Sequence, residues 1–256
     1  MESKEHLQDE IELHKKLSQE YKKRYSYKFS SLFQTYWNNT LIDEADHPSF
    51  AVAFDLGCGN GILLKDLVKK FKYAIGLDAS LDMVKDIKAE YGKNVSIIVG
   101  DGMNLPVCAE AFDVVFCRGT LHHLSSLTQG LEEIKICLKK DGVLIFSEPS
   151  NDSIIVRIAR FIMYKFSSKF HEDDIAFYEK EVIKTVESTG FIVEKTRRFG
   201  FFAYVFLGFP DHFPLLKYIP FNVQVSRALI ALDKLFARLP FVKNQSLHLI
   251  VKARRR

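Results

Sequence analysis

The chain has 256 residues, of which 47% are hydrophobic and 27% charged, and its formal net charge at pH 7 is +4. This length and apolar content suffice for one sizeable α/β domain with a buried core. The apolar run at 199–210 is too short to span a bilayer and the N-terminus is too charged for a secretory signal, so neither a membrane-spanning nor a secreted protein is expected.

The first 49 residues are expected to form a helical lid. Charged and apolar residues interleave over 5–37, a pattern typical of a helix. Aromatic residues gather toward the end of this stretch, at Tyr21, Tyr25, Tyr27, Phe29, Phe33, Tyr36 and Trp37.

From residue 50 the pattern changes to short apolar runs that alternate with helical segments. Nearly all-apolar strands in such an alternation indicate a parallel sheet with helices on both faces. Sheets of this kind bind ligands beyond the carboxyl ends of their strands. The predicted strands are 51–56, 73–78, 95–101, 112–117 and 142–149, with helices to about Phe71, to about Tyr91 and around 125–139.

Beyond Pro149 the pattern predicts two helices, at 150–166 and 173–191, the second ending at the C-cap glycine Gly190. Strands follow at 191–199 and 246–254, and between them the pattern predicts an amphipathic helix at 222–239 that is capped by Asn222. We therefore expect an α/β fold: a Rossmann-like, seven-stranded, mostly parallel sheet with N-terminal helices and an aromatic-rich insertion, about 200–245, between the last two strands. One domain, 1–256, is expected, with a lid (1–49), a core (50–150) and a C-terminal half of the sheet (151–256).

The stretch AFDLGCGNGILL (53–64) places three glycines at a strand-to-helix turn. Without Cβ atoms, such a turn lets a ligand approach the main chain and its N–H groups. A dinucleotide-binding loop would read G-x-G-x-x-G, whereas Gly57, Gly59 and Gly61 form G-x-G-x-G. Asp55, two residues before the first glycine, is also outside the dinucleotide fingerprint, so a nicotinamide dehydrogenase is disfavoured.

Four motifs at successive strand ends resemble the class I S-adenosyl-L-methionine (SAM)-dependent methyltransferases. They are the glycine turn, GLDAS (76–80), GDGMNLP (100–106), and FDVVFCRGTLHHL (112–124) followed by LKKDGVLIFSEP (138–149). The resemblance covers roughly residues 50–150 and is closest to the branch that methylates quinone precursors and other small molecules. It implies SAM as cofactor and S-adenosyl-L-homocysteine as product.

The resemblance also implies roles for individual residues. The turn would pass under the methionine part of SAM, with Asp55 near its ammonium, Asp78 on the ribose hydroxyls and Asp101 on the adenine amino group. Taken singly, Asp78 could be a helix N-cap and Asp101 a turn former. The full cofactor-binding set is Asp55, Gly57, Cys58, Gly59, Gly61, Asp78, Ala79, Met83, Asp101, Gly102, Met103 and Arg118, with Leu105 a further cover for the adenine.

Methyl transfer needs a base only when the acceptor must lose a proton. His122 and His123, just after the fourth strand, are candidate bases, although the pair could simply open a helix. Glu148, at the end of the fifth strand, is a second candidate, with a buried hydrogen-bonding role as its alternative. Arg118 is expected to frame the cofactor pocket or pair with an acid, and no metal site is predicted.

The acceptor side is expected near the aromatic insertion. Nine aromatic residues fall within 199–221, which suits a lipophilic or ring-shaped acceptor, a membrane-surface patch, or a lid that buries the rings in its own core. Lys and Arg outnumber Asp and Glu by 18 to 10 over 151–256. The sequence thus favours a methyltransferase for a small hydrophobic or aromatic molecule. A tRNA or rRNA methyltransferase, or a non-catalytic SAM-fold protein that binds a partner, remains the alternative.

The predicted localisation depends on the cysteine pattern and on the charged N-terminus. The four cysteines have neither C-x-x-C spacing nor a histidine at metal-ligand spacing, which predicts reduced thiols in a cytoplasmic protein. Peripheral membrane contact through 200–245 stays an open alternative, and a nucleic-acid partner is not expected. The oligomeric state does not follow from the sequence.

Overall fold

The computed structural model describes residues 25–46, 51–87, 91–154, 156–158, 176–208 and 214–256. Strands from these ranges form a seven-stranded sheet in the order β3–β2–β1–β4–β5–β7–β6. Strands β1 to β5 are parallel, while β7 runs antiparallel to both β5 and β6. The predicted fold class is confirmed. The strands are β1 (Val52–Leu56), β2 (Tyr73–Asp78), β3 (Val95–Val99), β4 (Phe112–Arg118), β5 (Leu138–Pro149), β6 (Phe191–Phe199) and β7 (His248–Arg255).

Helices cover both faces of the sheet, because alternate residues of the central strands point to opposite sides and nearly all of them are apolar. Ala53 and Val114 join one buried cluster, whereas their neighbours Phe54 and Val115 join the other. The α-helices are α1 (Lys28–Ile42), α2 (Leu64–Leu67), α3 (Leu81–Val84), α4 (Leu127–Cys137), α5 (Glu179–Ser188), α6 (Phe202–Gly208) and α7 (Asn222–Phe236). Short 3₁₀ turns occur at Leu121–His123, Pro214–Lys217 and Lys243–Gln245.

The register of the strands brings five chain segments to one edge of the sheet. Leu56 at the end of β1 pairs with Leu77 of β2, and Arg118 at the end of β4 pairs with Ser147 of β5. Because β7 is antiparallel, its first residue, His248, lies opposite Pro149 at the same edge. Residues far apart in sequence therefore meet where the motifs were expected.

Several helix boundaries differ from the prediction. Helix α2 is only one turn long and does not reach Phe71, since residues 68–70 form a turn. Helix α3 ends at Val84 before a turn at 85–86, Ile87 and Tyr91 are helical again, and residues 88–90 lie outside the described residues. Helix α5 begins at Glu179 rather than 173, since Phe177 forms a β-bridge with Ser150. Helix α1 continues to Ile42, beyond the expected end near residue 37.

The prediction that Asn222 caps the amphipathic helix was wrong. Phe221 occupies the cap position with φ 60°, and the Asn222 side chain instead donates to the Leu216 carbonyl, at 3.2 Å. The parts of the predicted helices at 5–24 and 159–166 lie outside the described residues.

Within the described ranges, no helix has the length and apolar character needed to cross a membrane. The four cysteines carry free thiols: Cys58, Cys117 and Cys137 are buried, and Cys108 is exposed.

Candidate functional site

The glycine turn follows β1 directly, and its backbone requires glycine. Gly57, Gly59 and Gly61 have φ values of 72°, 52° and 80°, a region that side chains rarely adopt. A Cβ atom on Gly57 would also lie 2.2 Å from Cγ2 of Thr120. The turn therefore packs directly against the residue that follows β4 by two positions.

The amides of this turn are already engaged within the protein, which corrects the expectation that they face a ligand. The N–H groups of Gly57 and Cys58 both donate to the Leu77 carbonyl, at 2.8 and 2.9 Å. Gly59 donates to Oδ2 of Asp78 at 2.8 Å, and Gly61 to the Cys58 carbonyl at 2.9 Å. These four amides close the turn on β2 and on itself, which leaves the Asn60 amide, the α-carbons and the remaining carbonyl groups for a ligand.

Asp55 is a buried carboxyl whose Oδ2 has no hydrogen-bond partner within the described structure. Burial raises its pKa to about 7, and the guanidinium of Arg118 only partly offsets this, while the charge of Asp78 adds to it. An unpartnered buried carboxyl beside three glycines has the chemistry to pair with a cationic group. The ammonium of an amino acid moiety meets that requirement.

Asp78 ends β2 and holds two loops together. Its Oδ1 accepts from the Ser80 amide at 2.9 Å, and its Oδ2 accepts from Gly59. Each carboxylate oxygen can accept a second hydrogen bond, so hydroxyl groups would share these oxygens with the backbone. Met83 is buried, and its Cε lies 3.3 Å from where a Cβ on Gly59 would stand, while Ala79 is half-buried.

The segment after β3 forms a tight turn. Oδ1 of Asp101 accepts from the Met103 amide at 2.9 Å, which is the turn-forming role weighed from the sequence. The Met103 carbonyl accepts from Nε2 of Gln129 at 2.8 Å. Gly102 and Leu105 are buried, and Leu105 packs in the core beneath β1 and β2 rather than on an open surface.

The side chains of two residues in the predicted cofactor-binding set, Cys58 and Arg118, point away from the exposed surface of the glycine turn. The Cys58 sulfur points toward β2, where a Cβ on Gly76 would meet it at 2.8 Å, so only the main chain of Cys58 remains for a ligand. Arg118 reaches to α1: Nη1 donates to Oδ1 of Asn38 at 2.8 Å, and Nη2 to Oε1 of Gln34. Its guanidinium lies 4.0 Å from the centroid of the Trp37 ring. Arg118 thus fixes α1 over the edge of the sheet.

His122 and Glu148 form a close pair at the mouth of this edge. Nδ1 of His122 lies 2.6 Å from Oε2 of Glu148, and both side chains are largely buried. Oε1 of Glu148 accepts from the amides of Thr120 and Leu121, at 2.9 and 2.8 Å. The carboxylate is therefore held by three donors, and it orients the imidazole. The His123 ring lies against the His122 ring, with centroids 4.0 Å apart.

Sequence reasoning missed a buried polar chain beside this pair. Nε1 of Trp37 donates to Oγ of Ser147 at 3.1 Å, and Oγ of Ser147 lies 3.2 Å from Nδ1 of His248. Nε2 of His248 lies 2.6 Å from the Tyr204 hydroxyl. Ser147 directly precedes Glu148 at a strand end, which is a weak signal. Nothing local in the sequence points to the other three residues.

A cavity of about 380 Å³ lies between α1, the glycine turn and α3. The cavity is lined by Asn60 of the glycine turn and by Met83, which packs against that turn. Lys65 and Asp86 also line it. Neither His122 nor Glu148 lines it, so it is separate from the pair at the end of β4 and β5. No group of three metal-ligating side chains occurs in the described part of the chain.

Comparison with known proteins agrees with this geometry. Residues 54–146 match the family model described as a methyltransferase domain. An uncharacterized methyltransferase of Schizosaccharomyces pombe is 43% identical over 72 residues, 27% of this chain and 26% of that protein. A demethylmenaquinone methyltransferase of Corynebacterium kroppenstedtii is 31% identical over 122 residues, 48% of this chain and 52% of that protein. The chain thus spans about half the length of these curated relatives, or less.

A solved Thermotoga maritima structure, described as a SAM-dependent methyltransferase and possible histamine N-methyltransferase, matches with a TM-score of 0.64. The match covers 96% of this chain and 99% of that one at 16% identity, which shows a common fold. The resemblance inferred from the four strand-end motifs is confirmed. Residues 54–146 therefore match a methyltransferase domain, and the chain has the fold of a structure described as a SAM-dependent methyltransferase.

Proposed function

We propose that this protein transfers a methyl group from SAM to a small hydrophobic or aromatic acceptor, and that residues 1–256 act as one domain. The similarity to a demethylmenaquinone methyltransferase supports an acceptor of this class. The observation that carries a catalytic role, rather than binding alone, is the His122–Glu148 pair at the carboxyl edge of the sheet.

The cofactor would be held by the first half of that edge. The unpartnered oxygen of Asp55 suits an ammonium group. The carbonyl groups of the turn at 57–61 can accept hydrogen bonds from the same ammonium. Asp78 keeps spare acceptor capacity for hydroxyls, and Asp101 does so for an amino group. Met83 and Met103 supply apolar cover, since both are buried and border these acids. When bound, SAM supplies a methyl group on a sulfonium, already activated for displacement.

His122 has the geometry of a general base. With Nδ1–H donating to Glu148, the lone pair of Nε2 is free to accept a proton from a hydroxyl or an acidic carbon of the acceptor. The imidazolium that forms is stabilised by the Glu148 carboxylate, which the Thr120 and Leu121 amides hold in place. In this proposal Glu148 is a positioning residue and His122 the catalytic one. His123 packs beside it.

The binding of SAM is tested first by calorimetry on the whole protein, with SAM, S-adenosyl-L-homocysteine and NAD. We expect the first two to bind and NAD not to bind. Asp78→Ala removes the acceptor for two backbone amides and should weaken SAM binding by about 100-fold or more, since hydrogen bonds to a charged group contribute roughly 1.5–3 kcal/mol each. Asp82→Ala, at an exposed acid that pairs with Lys85, is the matched control and should not change the affinity.

The transfer itself is tested with SAM carrying a labelled methyl group, incubated with quinone and lipid extracts or with total RNA. The proposal is supported if the lipid fraction becomes labelled and if Asp78→Ala abolishes this labelling. Label only in RNA would establish the nucleic-acid alternative. A folded protein that binds SAM but labels none of these fractions would favour the non-catalytic one.

A further inference from the structure

Large apolar side chains are exposed at both ends of α7. Tyr218 and Phe221 precede the helix and are 82% and 75% exposed, and Phe241, after it, is 93% exposed. The residues that share this exposure, here called the α7 surface, are Tyr218, Ile219, Phe221, Leu235, Leu239 and Phe241. Single exposed apolar residues are ordinary, but a cluster of this kind marks a surface that contacts something apolar.

The opposite face of α7 anchors the helix, so the outward residues are not required for packing. Ser226, Ile230 and Asp233 are buried on the inner side. The Asp233 carboxylate accepts from the amides of Phe201 and Ala203, at 2.9 and 3.1 Å, which ties α7 to the start of α6. The fifteen residues of α7 span roughly 22 Å, so the exposed residues flank a helix that is anchored along its inner side.

Charge on this segment has one sign. Five cations lie between residues 214 and 245, and the single acid in that range, Asp233, is turned inward. Arg227 and Lys234, seven residues apart, lie on the same side of α7 and are exposed, and Arg238 is exposed just beyond the end of the helix. Lys234 also lies over the Tyr36 ring at 4.9 Å, which connects this surface to α1.

We propose that the α7 surface docks on an anionic lipid bilayer. The aromatic side chains at the helix ends would enter the interfacial layer, and the cations would contact lipid phosphates. A nucleic acid would satisfy the cations but would leave Ile219, Leu235 and Leu239 in water, which makes the bilayer the better match. The docking proposal depends only on the α7 surface and not on the proposed function. Its role rests on the proposed function, since a lipophilic acceptor would enter from the membrane beside helix α1.

Vesicle sedimentation tests the docking on the full chain. We expect binding to vesicles of phosphatidylcholine with about a third phosphatidylglycerol, and little binding to phosphatidylcholine alone. The doubly substituted Arg227→Glu/Arg238→Glu protein should bind at least about tenfold more weakly, because each cation near an anionic surface contributes roughly fivefold to the partition coefficient. Phe221→Ser/Phe241→Ser should reduce binding by a similar factor.

Matched controls lie elsewhere on the molecule. Lys72→Glu/Lys140→Glu reverses two exposed cations at the opposite edge of the sheet, and Ile136→Ser removes an exposed apolar residue of α4. Both should bind vesicles as the unsubstituted protein does. Equal losses in the controls, no binding to anionic vesicles, or tighter binding to single-stranded RNA with the same charge dependence would overturn the proposal. SAM affinity, measured on every variant, separates a failure of docking from a failure of the proposed function.

Discussion

The two halves of the sheet's carboxyl edge are built in different ways. At β1 to β3 the contacts span short stretches of sequence: Asp78 accepts from Ser80, two residues away, and from Gly59, 19 away, while Asp101 accepts from Met103, two away. At β4, β5 and β7 they are remote: Trp37 bonds to Ser147 across 110 positions, and Ser147 meets His248 across 101. The half proposed to hold the cofactor is assembled mainly by short loops, and the half proposed to hold the acceptor by packing of distant segments.

This difference bears on how the two halves can vary. A strand-end loop closed by its own amides keeps its shape regardless of what packs around it. The acceptor half depends on α1 being held across β4 by Arg118, and on α6 and α7 being held by Asp233. The acceptor side can therefore change with the covering helices while the cofactor side stays constant.

The largest expected effect concerns the remote half. His122→Asn should lower the rate of methyl transfer by about 10²–10⁴-fold, because it removes the proposed base, while SAM affinity stays unchanged. His123→Asn is the matched control and should cost far less. Single-turnover rates with the identified acceptor provide the measurement. A greater loss for His123→Asn than for His122→Asn would contradict the assignment of the base.

Next in size is a pH effect from Asp55, at the boundary of the two halves. Its folded pKa of about 7 exceeds the usual value near 3.9, so the folded ligand-free protein binds more protons than the unfolded chain between these pH values. The free energy of unfolding should therefore fall by roughly 4 kcal/mol as pH rises from 4 to 7, and then level off.

Denaturant melts of the unsubstituted protein and of Asp55→Asn, compared across this pH range, measure that contribution. Because the asparagine side chain does not titrate, the free energy of unfolding of Asp55→Asn should lack this fall between pH 4 and 7. An equal slope in both proteins would show that Asp55 titrates normally.

A smaller loss of stability is expected from Arg118→Met, which separates α1 from the sheet. The substitution removes two hydrogen bonds from a charged donor and the contact with Trp37, so we expect a loss of about 3 kcal/mol in unfolding free energy. Arg227→Met, at an exposed position of α7, should be near neutral. Urea unfolding checks both, and a neutral Arg118→Met would show that α1 is held by apolar packing alone.

The smallest effect concerns the buried polar chain. Tyr204→Phe removes the hydroxyl at 2.6 Å from Nε2 of His248, and should cost about 1 kcal/mol of stability. Tyr178→Phe, at a partly exposed tyrosine, is the control and should cost nothing measurable. If the two variants melt alike, the chain from Trp37 to Tyr204 contributes no net stability, and the remote half rests on its aromatic packing.

Much of the fold was predictable because apolar runs and turn residues are local signals. The strands at 73–78 and 191–199 match their predicted bounds, and the glycine turn stands where its spacing placed it. The helix after β1 was predicted too long, since apolar periodicity continues through turns that tertiary contacts stabilise. The cap at Asn222 failed because its side chain found the Leu216 carbonyl instead.

The site divides in the same way. The strand-end acids and glycines could be found from the sequence because each lies within a few residues of a strand's end, and parallel strands share one edge. That the turn's amides close on β2, that Arg118 binds α1, and that Trp37 reaches His248 through Ser147 were decided only by the tertiary structure. Hydrogen-bond partners that are 19 residues apart, as Gly59 and Asp78 are, or 80 apart, as Arg118 and Asn38 are, depend on how strands pair and helices pack, and no local pattern carries that information.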